Sequence, residues 1–209
     1  MKTSILIATY GDEAWAHLAL TRAYPSAQKQ GAHETVVLHE PDMSIAEARN
    51  TLAEKATGDW LCFLDADDEL GTDYLGAMQR ALEQERGAGE TVPLLLTPAV
   101  SYVHKGRPRP PMFHPEGDFR NDNFIVIGTL VERELFKKVG GFGDYPHGFE
   151  DWSLWAKCWK TGAKVVRVRK AVYYAHINPK SKHRVAWKDR QWQIATHETV
   201  RRELFPELA

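Results

Sequence analysis

One stretch of the chain, an apolar segment that runs directly into a group of carboxylates, limits the fold more than any other. Residues 60–64, Trp-Leu-Cys-Phe-Leu, are typical of a buried strand. The carboxylates that follow are Asp65, Asp67, Asp68 and Glu69. So close together, they repel one another unless water, distance or a cation intervenes, and their hard oxygen atoms favour Mg²⁺ or Mn²⁺ over zinc. A solvated acidic turn at a strand end is the alternative interpretation.

The first half of the chain alternates between strand and helix patterns. Strands are predicted at 3–9, 34–39 and 60–64, and helices at 44–56, where Ser44 and Glu47 have capping-box spacing, and at 72–86. This alternation is typical of an α/β fold with a mostly parallel sheet flanked by helices. Ligands bind such sheets at the carboxyl ends of the strands, where Asp65 and Asp67 lie.

The second half is less regular. The residues predict strands at 94–103, 124–127, 164–168 and 171–175, a Pro-rich basic loop at 104–111, and helices at 132–139, from about 150, and at 187–204. In the helix from 150, four apolar residues share one face: Trp152, Trp155, Ala156 and Trp159. We expect this stripe to be core.

Length and composition favour one domain. The chain has 209 residues and is 43% hydrophobic, enough for one substantial core. No apolar run approaches the roughly 18 residues that cross a bilayer, and no signal-peptide pattern is present, so we expect a cytoplasmic protein. Cys62 and Cys158 match no metal or disulfide framework, which fits a reducing compartment.

The net charge of −1 conceals an asymmetry. Residues 1–100 carry 7 Lys and Arg against 16 Asp and Glu, whereas residues 157–190 carry 11 against 1. A basic segment attracts phosphates, nucleic acid or an anionic membrane, and charge alone does not choose among them. Solvated surface charge is the alternative.

Five short motifs occur in an order that resembles a known family. They are Ile-Ala-Thr-Tyr at 7–10, Ala-Arg-Asn at 48–50, Phe-Leu-Asp-Ala-Asp-Asp at 63–68, Gly-Gly-Phe at 140–142 and Glu-Asp at 150–151. Over most of its length the chain resembles the inverting family 2 glycosyltransferases, which have the GT-A nucleotide-sugar-binding fold. The resemblance implies a single domain over 1–209, with a nucleotide- and metal-binding half at 1–103 and an acceptor half at 104–209 that carries the basic segment.

The resemblance also implies an activity and a cofactor. The activity is metal-dependent transfer of a sugar, with inversion, from a nucleotide-diphosphate sugar to a hydroxyl acceptor, and the cofactor is Mn²⁺ or Mg²⁺. Asp67 would contact the metal, with Asp65 nearer the ribose or a metal-bound water. His176 is expected as a third metal ligand or a diphosphate contact, with a structural histidine as the alternative.

The Glu-Asp motif would supply the catalytic base. The resemblance assigns that role to Asp151, and burial or the neighbouring Glu150 should raise the pKa of one of the two. Their position at a helix start also has a purely structural explanation, because carboxylates there favour the helix dipole. Trp152 and Gly141 are predicted to contact the acceptor, although Trp152 fits the core equally well.

Residues expected at the nucleotide sugar are Thr9, Tyr10, Gly11, Glu40, Arg49, Asp65 and Ala66. Strand-end packing is the alternative for Thr9, and pairing with the acidic cluster is the alternative for Arg49. Glu40 stands where the family places an Asp-rich turn that this chain lacks, so the nucleotide base is left open. The remaining prediction is a diphosphate-binding lid with Lys180, Lys182 and Arg184, or else a solvated basic loop.

The acceptor and the oligomeric state are not specified by the sequence. A polyanionic acceptor such as nucleic acid or a lipid-linked diphosphate is compatible with the basic segment, and a homo-oligomer is compatible with the chain. Two rival functions are a non-catalytic nucleotide- or sugar-binding module of the same fold and a nucleotidyltransferase. The second is expected to carry a glycine- and arginine-rich phosphate loop, which residues 8–12 do not supply.

Overall fold

The computed structural model describes residues 1–145, 148–178 and 190–208. Within these ranges eight strands form one sheet: β1 Thr3–Tyr10, β2 Glu34–Glu40, β3 Trp60–Phe63, β4 Glu69–Leu70, β5 Leu94–His104, β6 Arg107–Pro108, β7 Leu130–Glu132 and β8 Lys164–His176. The helices are α1 Glu13–Leu18, a π-helical segment Ala19–Ala23, α2 Tyr24–Gln28, α3 Ile45–Lys55, α4 Tyr74–Gly87, α5 Arg133–Lys138, α6 Glu150–Lys160, α7 Arg190–Leu204 and a final 3₁₀ turn Pro206–Leu208.

The sheet has the order β2-β1-β3-β7-β5-β8-β4, with β6 paired to β5. Strands β2, β1 and β3 are mutually parallel, as are β5 and β8, whereas β7, β4 and β6 pair antiparallel with their neighbours. By length of pairing the sheet is mostly parallel. The predicted α/β fold with a mixed sheet and flanking helices is therefore confirmed.

The parallel pairing fixes where ligands can approach. Leu6 of β1 pairs with Phe63 of β3, so the chain leaves both strands at the same edge of the sheet. Helix α3 begins at a complete capping box, in which the Ser44 side chain accepts from the Glu47 N–H and the Glu47 carboxylate accepts from the Ser44 N–H. It buries Leu52 against the sheet and directs Arg49 towards that edge.

In the second half one strand prediction was wrong, and one strand was predicted as two. Residues 124–127 form a loop whose apolar side chains enter the core, and two backbone groups that a strand partner would use are bonded locally. The Ile125 N–H donates to Asn123 Oδ1, and the Val126 carbonyl accepts from the Thr129 N–H. The two strands predicted at 164–175 are one strand, β8. Its register with β5 shifts between Pro98 and Ala99, because proline has no N–H to continue the ladder.

The basic loop predicted at 104–111 contains a tight hairpin. Lys105 and Gly106 have φ angles of 50° and 75°, and His104 pairs with Arg107 across the turn. Two successive residues with positive φ are the signature of a two-residue turn whose twist matches the flanking strands. The hairpin therefore reverses the chain directly after β5 and pairs β6 with that strand.

The tryptophan stripe of α6 is core, as predicted. Trp152 and Trp155 are completely buried, and Trp159 lies at the margin of the core. Both cysteines are buried and free, and burial raises the pKa of the Cys62 and Cys158 thiols to about 12. Across the described ranges no helix has both the length and the apolar character that a bilayer crossing requires.

Candidate active site

Arg49 joins the two acidic motifs. Its Nη2 lies 2.5 Å from Asp65 Oδ1 and its Nη1 lies 2.9 Å from Glu150 Oε1. The guanidinium is buried and packs over the Phe142 ring, 5.3 Å from its centroid. Because both carboxylates hold it, the pKa of Arg49 is raised further above its usual range, even though burial alone would lower it. The predicted pairing of Arg49 with the acidic cluster is what the structure shows, and little of its surface remains for a diphosphate.

The carboxylates after β3 have different surroundings. Asp65 and Glu69 are the more exposed, with 36% and 42% of their side-chain surfaces accessible. Asp67 Oδ2 accepts from Asn178 Nδ2 at 3.2 Å, and burial, followed by the charge of Asp65, raises the pKa of Asp67. Asp68 is buried, and burial together with its two acidic neighbours raises its pKa well above the usual value. Repulsion between these carboxylates and the burial of their charges both destabilise the charged forms, and a bound cation would offset this cost.

His176 lies beside this cluster but faces Glu69. Its Nε2 is 2.7 Å from Glu69 Oε2, and its backbone N–H donates to Asp68 Oδ1 at 2.7 Å. In the part of the chain that the structure describes, no three His, Cys, Asp or Glu side chains are grouped so as to hold a metal by themselves. A metal-ligating role for His176 stays a prediction, and it would require the imidazole to leave Glu69 or to use Nδ1.

Asp151 is held by two hydrogen bonds at the start of α6. Its Oδ2 accepts from Asn123 Nδ2 and its Oδ1 accepts from the Trp152 N–H, both at 2.8 Å. Burial first, and then the neighbouring Glu150, raise the pKa of Asp151 to about 7, while Arg49 works in the opposite direction. A carboxylate with this pKa is a competent proton acceptor near neutral pH.

The structure corrects the predicted role of Trp152 and gives Gly141 a structural role. Trp152 is fully buried, its Nε1 donates to the Phe119 carbonyl at 2.8 Å, and its ring stacks on His197, so it cannot form a wall of an acceptor site in this conformation. Gly141 has a φ of 63°, and a Cβ there would lie 2.4 Å from Asn50 Oδ1. Its absence of a side chain therefore serves the turn that Asn50 holds.

The Ala-Arg-Asn segment also stabilises that turn, through Asn50. Asn50 Oδ1 accepts from the Phe142 N–H at 2.9 Å and its Nδ2 donates to the Phe142 carbonyl at 3.1 Å. Neighbouring residues of α3 thus fix two things at once: Arg49 holds the charges, and Asn50 holds the glycine turn that leads to α6.

Four of the residues predicted at the nucleotide sugar lie at the ends of β1 and β2: Thr9, Tyr10, Gly11 and Glu40. Thr9 is buried, and its hydroxyl is 3.2 Å from the Leu38 carbonyl and 3.0 Å from His39 Nδ1, which matches the strand-packing interpretation. Tyr10 pairs in register with Glu40, and burial followed by the charge of Glu150 raises the Tyr10 pKa. Gly11 has a φ of 66°, and its N–H donates to the Pro41 carbonyl at 3.1 Å.

Other predicted binding residues are either buried or outside the described residues. Ala66 is buried. Lys180, Lys182 and Arg184 lie outside the described residues, so the predicted lid stays a prediction.

Sequence analysis did not predict several residues that contact the site. They are Arg22, which donates to the Asp67 carbonyl, and Asn123, Tyr173 and Asn178. The tyrosine hydroxyl accepts from the Asp65 N–H at 3.3 Å and is hydrogen-bonded to Asp68. Isolated asparagines and tyrosines carry no spacing pattern, so no signal in a single sequence marks them.

Comparison with known proteins places this arrangement in a family. The model of the family described as glycosyl transferase family 2 matches residues 21–132, just over half of the chain. The chain is similar to the amylovoran biosynthesis glycosyltransferase AmsB of Erwinia amylovora, with 38% identity over 167 residues, covering 76% of this chain and 55% of AmsB. It therefore spans little more than half the length of that relative.

Solved structures of TarS from S. aureus share the fold. TarS 1–349 in complex with UDP-GlcNAc matches with a TM-score of 0.63 and 16% identity over 88% of this chain and 60% of that one. The same TarS fragment in complex with UDP gives 0.62 and 18% over 98% and 71%. Identities this low speak for the fold alone, and they confirm the predicted GT-A architecture. With the family match over more than half its length, the chain belongs to glycosyl transferase family 2.

Proposed function

We propose that this chain transfers a sugar from a nucleotide-diphosphate sugar to a hydroxyl acceptor with inversion at the anomeric carbon. The observation that supports this most is the Arg49 bridge, which brings the carboxylates after β3 and those at the start of α6 to one edge of the sheet. A donor site and a proton acceptor are then adjacent. A pure binding module has no need of the second.

Asp151 is the proposed base. With a pKa of about 7 it is deprotonated in a large fraction of molecules at neutral pH and still basic enough to take a proton. The acceptor hydroxyl gives its proton to Asp151 as its oxygen forms a bond to the anomeric carbon. The bond from that carbon to the diphosphate oxygen breaks on the opposite face, and the nucleotide diphosphate leaves with the electron pair. One displacement of this kind inverts the configuration.

The residues after β3 fit a hard divalent cation. Asp67 is partly buried beside Asp65, and burial followed by the charge of Asp65 raises its pKa, so a bound cation would favour its charged form. Since no described group of three side chains would hold an ion alone, Asp67 would share it with water and donor phosphate oxygens, the ligand set that Mg²⁺ and Mn²⁺ accept. When bound, the cation supplies charge neutralisation for the departing diphosphate.

The donor to test first is a UDP-sugar. TarS, whose fold this chain shares, has been solved with UDP and with UDP-GlcNAc. We extend only the nucleotide to this chain, because the identity is too low to transfer the sugar. The acceptor is proposed only as a hydroxyl compound.

Binding and turnover of UDP-sugars, each measured with and without Mn²⁺, test the proposal. A UDP-sugar in hundredfold excess over its dissociation constant should stabilise the fold by about 2.7 kcal/mol. Asp67→Ala should abolish the metal-dependent part of donor binding. Asp151→Asn should preserve donor binding and abolish transfer to the acceptor or to water.

The matched control is Asp59→Asn, which alters an exposed carboxylate directly before β3, at the end of that strand opposite to the site. Donor binding without product in the wild-type chain, unchanged in Asp151→Asn, would establish the binding-module alternative. Retained metal-dependent affinity in Asp67→Ala would show that the metal assignment is wrong.

A further inference from the structure

Six exposed cations, three in the hairpin segment that follows β5 and three in β8, take no part in the proposed chemistry. They are Lys105, Arg107, Arg109, Arg167, Arg169 and Lys170, and we name them the basic face. None of the six forms an ion pair with a carboxylate among the described residues. By contrast Lys164, at the start of the same β8, is paired with both Glu85 and Glu90. The positive charge of the basic face is therefore available to a partner.

The basic face is held in shape by its own backbone. Segment 107–114 folds back along β5, with the Arg109 N–H donating to the Tyr102 carbonyl at 3.0 Å and Met112 pairing with Val100. The ring of Phe113 lies 5.4 Å from the guanidinium carbons of both Arg167 and Arg169. These contacts connect the segment after the hairpin with the cations of β8. They also restrict the side chains before binding, so less conformational entropy is lost when a partner binds.

The surface chemistry favours a lipid bilayer over a protein or a nucleic acid. Three prolines, at 108, 110 and 111, interrupt the outer edge of segment 107–114, so another chain cannot add a strand there. Phe113 is engaged by two arginines and is not open for base stacking. Met112, in contrast, is 47% exposed on the same segment as Arg107 and Arg109, which suits shallow insertion among lipid headgroups.

The nearest carboxylates do not cancel the charge. Burial lowers the pKa of His114, and the charge of Asp122 only partly opposes this shift, while Asp118 is paired with Arg120. Glu116 is exposed in the following loop. The basic face, with six cations that have no carboxylate partner among the described residues, therefore keeps a positive charge. The formal net charge of the whole chain is −1, so the charge is unevenly distributed. Such a chain is attracted to an anionic surface in one orientation.

The basic face borders the candidate active site. Val103, which pairs with Pro108 of β6, also pairs with His176 of β8, and His176 contacts Glu69 and Asp68. We propose that the basic face docks the protein on the anionic headgroups of a membrane surface, with the acidic end of the site beside the bilayer. Docking of this kind does not depend on the proposed transfer reaction, because membrane binding is measured without turnover.

Co-sedimentation with vesicles tests the proposal. The full chain should bind vesicles of phosphatidylcholine mixed with phosphatidylglycerol, bind pure phosphatidylcholine vesicles far more weakly, and lose binding as salt rises to about 1 M, where the screening length falls to about 3 Å. The test variant is Lys105→Asn with Arg107→Ser and Arg109→Ser, in which asparagine suits the positive φ of the turn. Each cation near an anionic surface contributes about a fivefold factor, so this variant should partition about a hundredfold less.

The matched control removes the same charge elsewhere. Lys29, Lys55 and Lys138 are exposed and lie outside the basic face, and a triple Ser variant of these three should bind vesicles nearly as the wild type does. Circular dichroism and thermal melting confirm that both variants fold. Equal losses in the two variants, or no loss in the first, would overturn the proposal. Tighter salt-dependent binding to single-stranded RNA than to the anionic vesicles would overturn it in favour of a nucleic-acid surface.

Discussion

Replacing Asp151 by Asn should make the fold progressively more stable than the wild type as pH rises. In the unfolded chain the aspartate titrates at its ordinary pKa of 3.8, whereas in the folded chain the pKa is about 7. Below both values the carboxyl is protonated in both states and has no effect. Between them the unfolded chain releases the proton that the folded chain keeps, so the wild type loses stability with increasing pH. Above about 7 the penalty is constant.

The magnitude follows from the shift of about three pKa units. Fully expressed, such a shift corresponds to about 4 kcal/mol, of which about 2.6 kcal/mol would develop between about pH 5 and about pH 8. Since Asp151 keeps some exposed surface, solvent reduces this, and we expect about 2 kcal/mol. The amide can still accept from the Trp152 N–H, but its NH₂ would face that of Asn123, which costs about 1 kcal/mol at every pH.

The assay is chemical denaturation of ligand-free wild type and Asp151→Asn over this pH range. The difference in free energy of unfolding should move in favour of the variant by about 2 kcal/mol from the acidic to the alkaline end. Asp42→Asn, at an exposed carboxylate, should show a nearly constant difference. A flat or declining difference for Asp151→Asn would refute the claim that the protein raises the pKa of this carboxyl, and with it the main support for a base at this position.

Three further substitutions test other parts of the site. Arg49→Met leaves two carboxylates without their shared cation and should cost about 3–5 kcal/mol in denaturant unfolding, so a loss below about 1 kcal/mol would show that the bridge is unimportant. Asn123→Ala removes a hydrogen bond that stabilises the charged form of Asp151. The acidic limb of the pH profile of kcat/KM should therefore move to higher pH by about one unit, with the affinity for the nucleotide sugar unchanged. An unmoved profile would show that Asn123 does not tune the base. Gly141→Ala forces a side chain into a left-handed turn and should lower stability by about 2 kcal/mol or more, whereas a neutral effect in thermal melting would contradict the crowding seen there.

The sequence predicted most of the architecture because the local patterns are strong. The capping box at Ser44, the apolar run before Asp65 and the tryptophan stripe of α6 each depend on residues within a few positions of one another, and each formed as expected. The failures were also local. At 124–127 an apolar run supplied core side chains from a loop, and near Pro98 a missing N–H changed the register of one long strand instead of ending it.

The sequence by itself determined the alternating α/β order and the presence of two acidic motifs, since both follow from composition and spacing along the chain. Only the tertiary structure decided what those motifs face. Arg49 reaches Asp65 at a separation of 16 residues and Glu150 at a separation of 101, and Asn178 reaches Asp67 across 111. A single sequence has no periodicity that links such positions. Their meeting, and the desolvation that shifts the pKa of Asp151, arise because parallel strands bring distant loops to one edge of the sheet.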